Sequence, residues 1–145
     1  MELERGKSYE ELEIGEKAFF SKTITETDVY LFAGISGDLN PMHVNEEYAR
    51  TSPFGARVAH GPLTQSLAAP LLGMKMPGMG TILVELTTRF KAPVYFGDTV
   101  VVTGELVEKI ANKSWVRVAL TWTNQRGETL AEGSATVSPP RKASG

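Results

Sequence analysis

One short stretch of this 145-residue chain brings a carboxylate and an imidazole close together. Asp38 and His43 lie on either side of Asn40 and Pro41. Side chains five residues apart on an α-helix point about 140° away from each other, but a proline-bent loop can turn Asp38 and His43 toward one point. A carboxylate beside an imidazole can hold and deprotonate one water molecule near neutral pH. The stretch is the first candidate for acid–base chemistry, although each residue alone is also typical of an ordinary turn.

A second stretch, Ala59 to Pro62, introduces an apolar segment that we predict to be helical. Free amide protons at a helix N-terminus attract an oxyanion, and a glycine lets the backbone approach a ligand closely. The amide of Gly61 is therefore a candidate oxyanion donor, with His60 beside it as a supporting or substrate-binding residue. The alternative interpretation is that His60 and Gly61 only form a turn into the helix.

Capping signals and hydrophobic spacing predict the elements that surround the first stretch. We expect a strand over residues 17–24 and a helix that begins after Thr25, which has an aspartate three positions later, and ends near Gly37. Residues 37–45 are expected to form a shaped loop rather than regular helix, because Pro41 has no amide proton and favours an extended residue before it. Asn45 is a good N-cap for a short helix ending near Arg50.

A long apolar helix is predicted from Pro62 to Met76. Proline fits the first turn of a helix, and leucine and other apolar residues follow at helical spacing. The segment contains no Asp or Glu, so it is expected to be buried on several sides. Pro70 should kink the helix or weaken its hydrogen bonding.

The second half of the chain is typical of strands, which we predict over residues 81–90, 100–109, 115–123 and 129–137. In the first of these, alternation predicts that one face carries Ile82, Val84, Leu86 and Phe90. The polar turn before Thr129 predicts that the last two strands pair antiparallel. An antiparallel sheet and one highly apolar helix indicate an α+β fold in which the sheet wraps around that helix.

Composition indicates one packed domain and disfavours several classes of partner. With 41% hydrophobic and 22% charged residues, the chain lies near the globular average, so disorder is not expected. Fifteen Lys and Arg residues against 17 Asp and Glu residues leave a net charge of −2, which does not favour binding to nucleic acid or to anionic membranes. Residues 1–138 are expected to form the domain, and residues 139–145 a flexible C-terminal tail.

The cysteine and histidine counts restrict the possible chemistry. Without cysteine, the chain has no thiol nucleophile, no thiolate metal ligand and no disulfide. The two histidines do not have the i, i+4 spacing of zinc-binding helices, so no metal site is expected. No apolar leader or membrane-spanning segment is visible at the level of sequence, and the expected location is the cytoplasm.

Three separated runs of the sequence carry a resemblance to a known family. Residues 32–43, which include Asp38 and His43, are followed by Val58 to Gly61 and then by Arg89 to Asp98. In this order the runs resemble the MaoC-like (R)-specific enoyl-CoA hydratases, and the match extends over about residues 10–137. The resemblance implies a hot-dog fold, in which an antiparallel sheet wraps around a central helix.

The resemblance also implies roles for particular residues. Asp38 and His43 would form the catalytic dyad that acts on water, with Asn40 supporting the loop, and the Gly61 amide would polarise the thioester carbonyl. Some family members have a serine on the central helix that supports the dyad, eight positions after this glycine. Here that position is Ala69, and Ser66 is the candidate substitute. Pro41 shapes the same loop.

The implied reaction is the reversible addition of water to a trans-2-enoyl-CoA, which gives an (R)-3-hydroxyacyl-CoA without a cofactor. The apolar helix would line the acyl tunnel, with Leu71, Leu72, Met74 and Met76 as candidate walls or as ordinary core. A homodimer or an assembly of dimers is expected, because a single sheet around one helix leaves an open edge. The alternatives are a hot-dog acyl-CoA thioesterase and a noncatalytic acyl-CoA binding domain.

Overall fold

The computed structural model describes residues 3–142, and a five-stranded antiparallel sheet forms its framework. The strands are β1 (Lys17–Thr23), β2 (Ile82–Phe90), β3 (Thr99–Ile110), β4 (Trp115–Thr123) and β5 (Thr129–Ser138). Their order across the sheet is β1-β3-β4-β5-β2, so the last three strands form an antiparallel meander, and the predicted pairing of the last two is confirmed. Strand β2 returns to the outer side of β5 and forms one edge, while β1 forms the other.

The central helix packs on this sheet in three consecutive segments. These are α4 (Gly61–Ser66), α5 (Ala68–Pro70) and a π-helical turn (Leu71–Lys75), which we call together the central helix. The break at Pro70 confirms the predicted disturbance, since proline removes one hydrogen-bond donor. Leu71 is fully buried in the core, and a Cβ at Gly104 of β3 would lie only 2.8 Å from its side chain. The α+β prediction is confirmed, with the sheet covering the helix.

Three short helices precede the central helix, and one of them corrects the sequence-based expectation. Helix α1 (Glu26–Ser36) begins with the predicted capping box at Thr25, and α3 (Glu46–Arg50) begins at the predicted cap Asn45. Between them, where we expected a nonhelical loop, Pro41–Val44 forms a one-turn helix, α2. Proline is compatible with the first position of a helix because the amide it lacks would have no helical partner there.

Strand β2 also departs from the expected pattern. Its register to β5 shifts between Leu83 and Glu85, so Val84 is an extra residue that interrupts the alternation. Ile82 and Val84 are exposed, whereas Leu86 packs against the core. The prediction that Ile82 and Val84 share one face with Leu86 is therefore wrong, because a single inserted residue reverses the side-chain alternation beyond it.

The C-terminal segment after β5 begins as packed chain. Pro139 and Pro140 are buried, and a Cβ at Gly80 would lie 2.9 Å from Pro140. The tail predicted to start at residue 139 therefore starts no earlier than residue 141, and positions 143–145 lie outside the described residues. Between residues 3 and 142, no helix has the length and apolar character needed to cross a membrane.

Candidate active site

The loop after α1, the start of the central helix and the end of β2 surround a cleft of about 510 Å³. Asp38, His43 and Gly61 all line this cleft, although 23 positions separate the first from the last. The remaining walls are mainly apolar, and they include Met42, Phe54, Phe90, Pro93 and Leu130. The cleft can therefore hold an apolar ligand beside a small number of polar groups.

Asp38 is exposed at the cleft because local hydrogen bonds hold its loop in a turn. Its backbone amide donates to the Ser36 hydroxyl at 3.1 Å, and its Oδ1 accepts from the Asn40 amide at 3.1 Å. The Asn40 side chain in turn accepts from the Met42 amide at 3.3 Å and caps α2. These contacts occupy one carboxylate oxygen and leave Oδ2 available to a ligand or water.

His43 lies on α2 and is buried, with a defined tautomer. Its Nδ1 is 2.7 Å from the backbone oxygen of Val58. A carbonyl oxygen can only accept, so Nδ1 carries the proton and the neutral ring leaves Nε2 free to accept another. Val58 is itself held in place, because its amide donates to the Met42 oxygen at 3.2 Å.

The pKa of His43 is lowered from its ordinary value of 6.5, chiefly because burial disfavours the charged ring. The neighbouring His60 lowers it further, while the Val58 carbonyl and the Asp38 carboxylate oppose the shift. Neutral His43 is therefore the major form at pH 7, ready to act as a base. Because the unfolded chain binds this proton more readily, His43 protonation opposes folding increasingly as the pH falls below about 6.5.

His60 lies behind the dyad rather than in the cleft lining. One carboxylate oxygen of Asp38 and one ring nitrogen from each histidine lie within 4.8 Å of one another. The two imidazole rings are stacked, with centroids 3.8 Å apart and planes inclined by 25°. Nearly parallel rings direct their in-plane lone pairs side by side rather than toward one ion, so the cluster is not arranged as a metal site. The expectation of no metal stays a prediction.

Gly61 begins α4, so the helix itself makes no use of its amide proton. Phe90 lies so close that a Cβ at position 61 would be 3.2 Å from the nearest ring atom. Glycine therefore lets Phe90 approach closely, and a side chain at position 61 would require the ring to move by a few tenths of an ångström. Pro62 follows it and also lines the cleft.

Some predicted residues are not brought to the cleft. Ser66 is exposed, and its hydroxyl donates to the Leu63 oxygen at 2.6 Å, so it does not replace the serine absent at Ala69. Five helical positions separate Ser66 from Gly61, which places it on another face. Among the candidate tunnel walls, Leu71, Leu72 and Met76 are core residues and Met74 is 65% exposed, and none of them lines the cleft.

One residue that lines the cleft, Thr64, and one that lies behind it, Arg57, were not predicted from the sequence. Thr64 is buried and lines the cleft one helical turn after Gly61, a spacing that could have identified it. Arg57 lies next to Val58 and binds Glu26 at 2.8 Å and Glu46 at 2.9 Å. Its pKa is raised, chiefly by the hydrogen bond to Glu26. Arg57 therefore connects α1 and α3 to the neighbouring Val58, whose carbonyl binds His43. These contacts join residues that are far apart in sequence.

Comparison with known proteins places these features in context. The family model described as MaoC like domain matches residues 11–126. The chain is 43% identical over 134 residues to an (R)-specific enoyl-CoA hydratase of Rhodospirillum rubrum, with 92% of each chain covered. It is 40% identical over 134 residues to a 3-hydroxybutyryl-CoA dehydratase of Methylorubrum extorquens, covering 92% of this chain and 85% of the relative.

A solved structure is similar over nearly the whole fold. The R-hydratase PhaJ1 from Pseudomonas aeruginosa, in the unliganded form, aligns with a TM-score of 0.89 and 40% sequence identity. The alignment covers 94% of this chain and 88% of that one. The similarity therefore includes the sheet, the central helix and the helices that carry the cleft.

Proposed function

The chain belongs to the MaoC-like family, and from this membership and its cleft we propose that it is an (R)-specific enoyl-CoA hydratase. It adds water reversibly to a trans-2-enoyl-CoA and gives an (R)-3-hydroxyacyl-CoA, and in the reverse direction it is a dehydratase. The observation that carries the proposal is the convergence of Asp38, His43 and the start of α4 on one mainly apolar cleft.

In the proposed reaction, one water molecule lies between Oδ2 of Asp38 and Nε2 of His43. Neutral His43 accepts a proton from the water, while the Asp38 carboxylate orients the other hydrogen. The oxygen attacks Cβ of the enoyl thioester, and the double-bond electrons move to the thioester oxygen. The Gly61 amide donates to the resulting enolate oxygen.

The imidazolium then returns its proton to Cα, so that the hydroxyl and the hydrogen are added from the same side. The atoms balance with water and the thioester alone, and no electron is transferred to another group. We therefore propose that the enzyme needs no cofactor. The proposed location is the cytoplasm.

Two alternatives are less well supported. A thioesterase of this fold generally uses an acidic residue on the central helix, and residues 62–76 contain neither Asp nor Glu. A noncatalytic binding domain would have no need to present the free Nε2 of His43 beside a free carboxylate oxygen. Hydration accounts for both groups, because each contacts the same water in the proposed reaction.

The product of crotonyl-CoA hydration tests the proposed function. We expect loss of the enoyl absorbance, with a product that an (R)-specific 3-hydroxyacyl-CoA dehydrogenase oxidises and an (S)-specific one does not. In deuterated water, syn addition to the trans double bond predicts the one diastereomer in which the deuterium at Cα and the hydroxyl at Cβ entered from the same face, and anti addition predicts the other. Product oxidised only by the (S)-specific enzyme would contradict the proposal, and release of free CoA without hydration would support the thioesterase instead. Longer enoyl-CoAs in the same assay give the chain-length preference.

We further propose that the chain forms a homodimer through the free edge of β2. This strand carries the exposed apolar residues Ile82, Leu83 and Val84, whereas the opposite edge strand, β1, contains Lys17 and Lys22. Lysine on an edge strand opposes pairing with another chain, and an apolar edge favours it. The β2 edge is also continuous with Phe90, which lines the cleft, so a second copy would lie close to the active site.

Light scattering at micromolar concentration is expected to give the mass of a dimer or of an assembly of dimers. The variant Val84→Lys, which places a charge on the β2 edge, should shift the protein toward monomer. Phe19→Lys is the matched control, because Phe19 is 63% exposed on the other edge strand. A strictly monomeric wild-type protein with full activity would contradict the proposed dimer.

A further inference from the structure

His60 is the most deeply buried polar ring at the site, and the proposed reaction does not use it. Its side chain is fully buried, and its Nε2 lies 3.0 Å from the backbone oxygen of Asp38. One face of the ring stacks on His43 at 3.8 Å, and the Phe32 ring lies 4.9 Å from it. His60 thus contacts both members of the dyad while being closed off from the cleft.

The hydrogen bond to Asp38 determines which nitrogen of His60 carries the proton. Because the Asp38 carbonyl oxygen can only accept, Nε2 must donate. The other nitrogen, Nδ1, is buried and has no hydrogen-bond partner among residues 3–142. A proton on Nδ1 would be buried without an acceptor, so the geometry favours the tautomer with its proton on Nε2. His43 has the opposite tautomer, with its proton on Nδ1.

We propose that His60 is the positioning residue of the dyad, and this inference rests on the proposed hydratase function. Its N–H holds the backbone of Asp38, and its ring supports the face of His43, so that Oδ2 and Nε2 stay directed at one water. The other local contacts hold Asp38 and His43 separately, to Asn40 and to Val58. Through His60, the two members of the dyad are held relative to each other.

Two substitutions distinguish the role of the Nε2–H donor of His60 from the role of its aromatic ring. His60→Gln retains an N–H near the position of Nε2 but removes the ring, whereas His60→Phe retains the ring and removes the donor. We expect kcat to fall about tenfold or more in H60F, because the Asp38 carbonyl loses its partner, and to fall less in H60Q. KM should stay within about threefold in both variants, since His60 does not line the cleft.

Trp122→Phe is the matched control for damage to the core. Trp122 is also a fully buried ring with an unpartnered nitrogen among the described residues, and it lies on β4 away from the cleft lining. We expect W122F to lower the melting temperature and to leave kcat within about twofold of wild type. If H60F and H60Q lower the melting temperature in the same way and keep kcat within threefold, the positioning role is wrong. A kcat of H60F within threefold of wild type would by itself contradict the role of the donor, even if H60Q lost activity, because H60F is the variant that lacks the N–H.

A spectroscopic measurement tests the contacts without using activity. The chain has only two histidines, so nitrogen-15 NMR at pH 7 should resolve one Nδ1–H ring and one Nε2–H ring. Spectra of H60Q or H60F assign the signals, because only His43 remains. A wild-type His60 with its proton on Nδ1 would overturn the inference. Failure of the wild-type protein to hydrate any enoyl-CoA would instead contradict the proposed function, and the spectra would still test the His60 contacts.

Discussion

Replacement of Asp38 by Asn or of His43 by Ala is expected to lower kcat for crotonyl-CoA hydration by roughly 10²–10⁴-fold. The asparagine introduced in D38N could still hold the loop, because its side-chain oxygen can accept from the Asn40 amide, but the charge facing the water would be lost. The H43A substitution would remove the Nε2 base altogether. Steady-state kinetics with the purified variants gives kcat and KM separately, and we expect KM to change much less than kcat.

The matched control for D38N is Glu47→Gln, which neutralises an exposed carboxylate outside the cleft, on α3. Glu47 binds Arg50 and does not line the cleft, so kcat should be unchanged. In wild type, the acidic limb of kcat/KM should have its midpoint below pH 6.5, since burial lowers the pKa of His43, and this limb should disappear in H43A. Either dyad variant within tenfold of wild type, a change of about 1.4 kcal/mol, would contradict the assignment.

Removal of the Gly61 amide proton is the second change with a large expected effect. Gly61→Pro should lower kcat by roughly 10²–10³-fold relative to Gly61→Ala, because only the alanine variant retains an oxyanion donor. The backbone is suited to proline here, since position 61 is the first of α4 and His60 is already extended, with φ −63° and ψ 140°. Kinetics of the two variants on crotonyl-CoA gives the ratio directly.

Gly61→Ala is the steric control. In both variants the new Cβ would lie about 3.2 Å from the nearest ring atom of Phe90. Any loss caused by a displaced ring is shared by the pair, and the difference between them isolates the amide. Equal kcat values for G61P and G61A would show that the proposed oxyanion donor is wrong. Circular dichroism of both proteins checks that α4 and the sheet are retained.

The sequence predicted most of the secondary structure because the signals are local. The capping box at Thr25 and the β4 bounds Trp115–Thr123 were both predicted as observed. The errors occur where a local rule allows two outcomes. Pro41 disfavours helix at most positions but is suited to the first one, and only the Asn40 cap and the packing of His43 select the one-turn helix α2.

The bulge at Val84 and the packing of Pro139 could not be predicted in the same way. Pairing with β5 determines the register of β2, and the two strands are about 50 residues apart in the chain. Alternation read from one strand assumes continuous pairing, so a single extra residue reverses every side chain beyond it. Pro139 looked like part of a polar tail, and its burial depends on neighbours distant in sequence.

The sequence by itself determined which groups are available for chemistry at this site: one carboxylate and one imidazole around Pro41, and a glycine amide at the start of an apolar helix. Residue types and short spacings suffice for that, because turns and helix caps depend on neighbouring residues. Tertiary structure alone decided how the groups work together. The Val58 carbonyl selects the tautomer of His43, and His60, which lies 22 positions after Asp38 in the chain, contacts both Asp38 and His43. Such contacts form only when the sheet and the central helix bring distant segments together, and no local pattern encodes them.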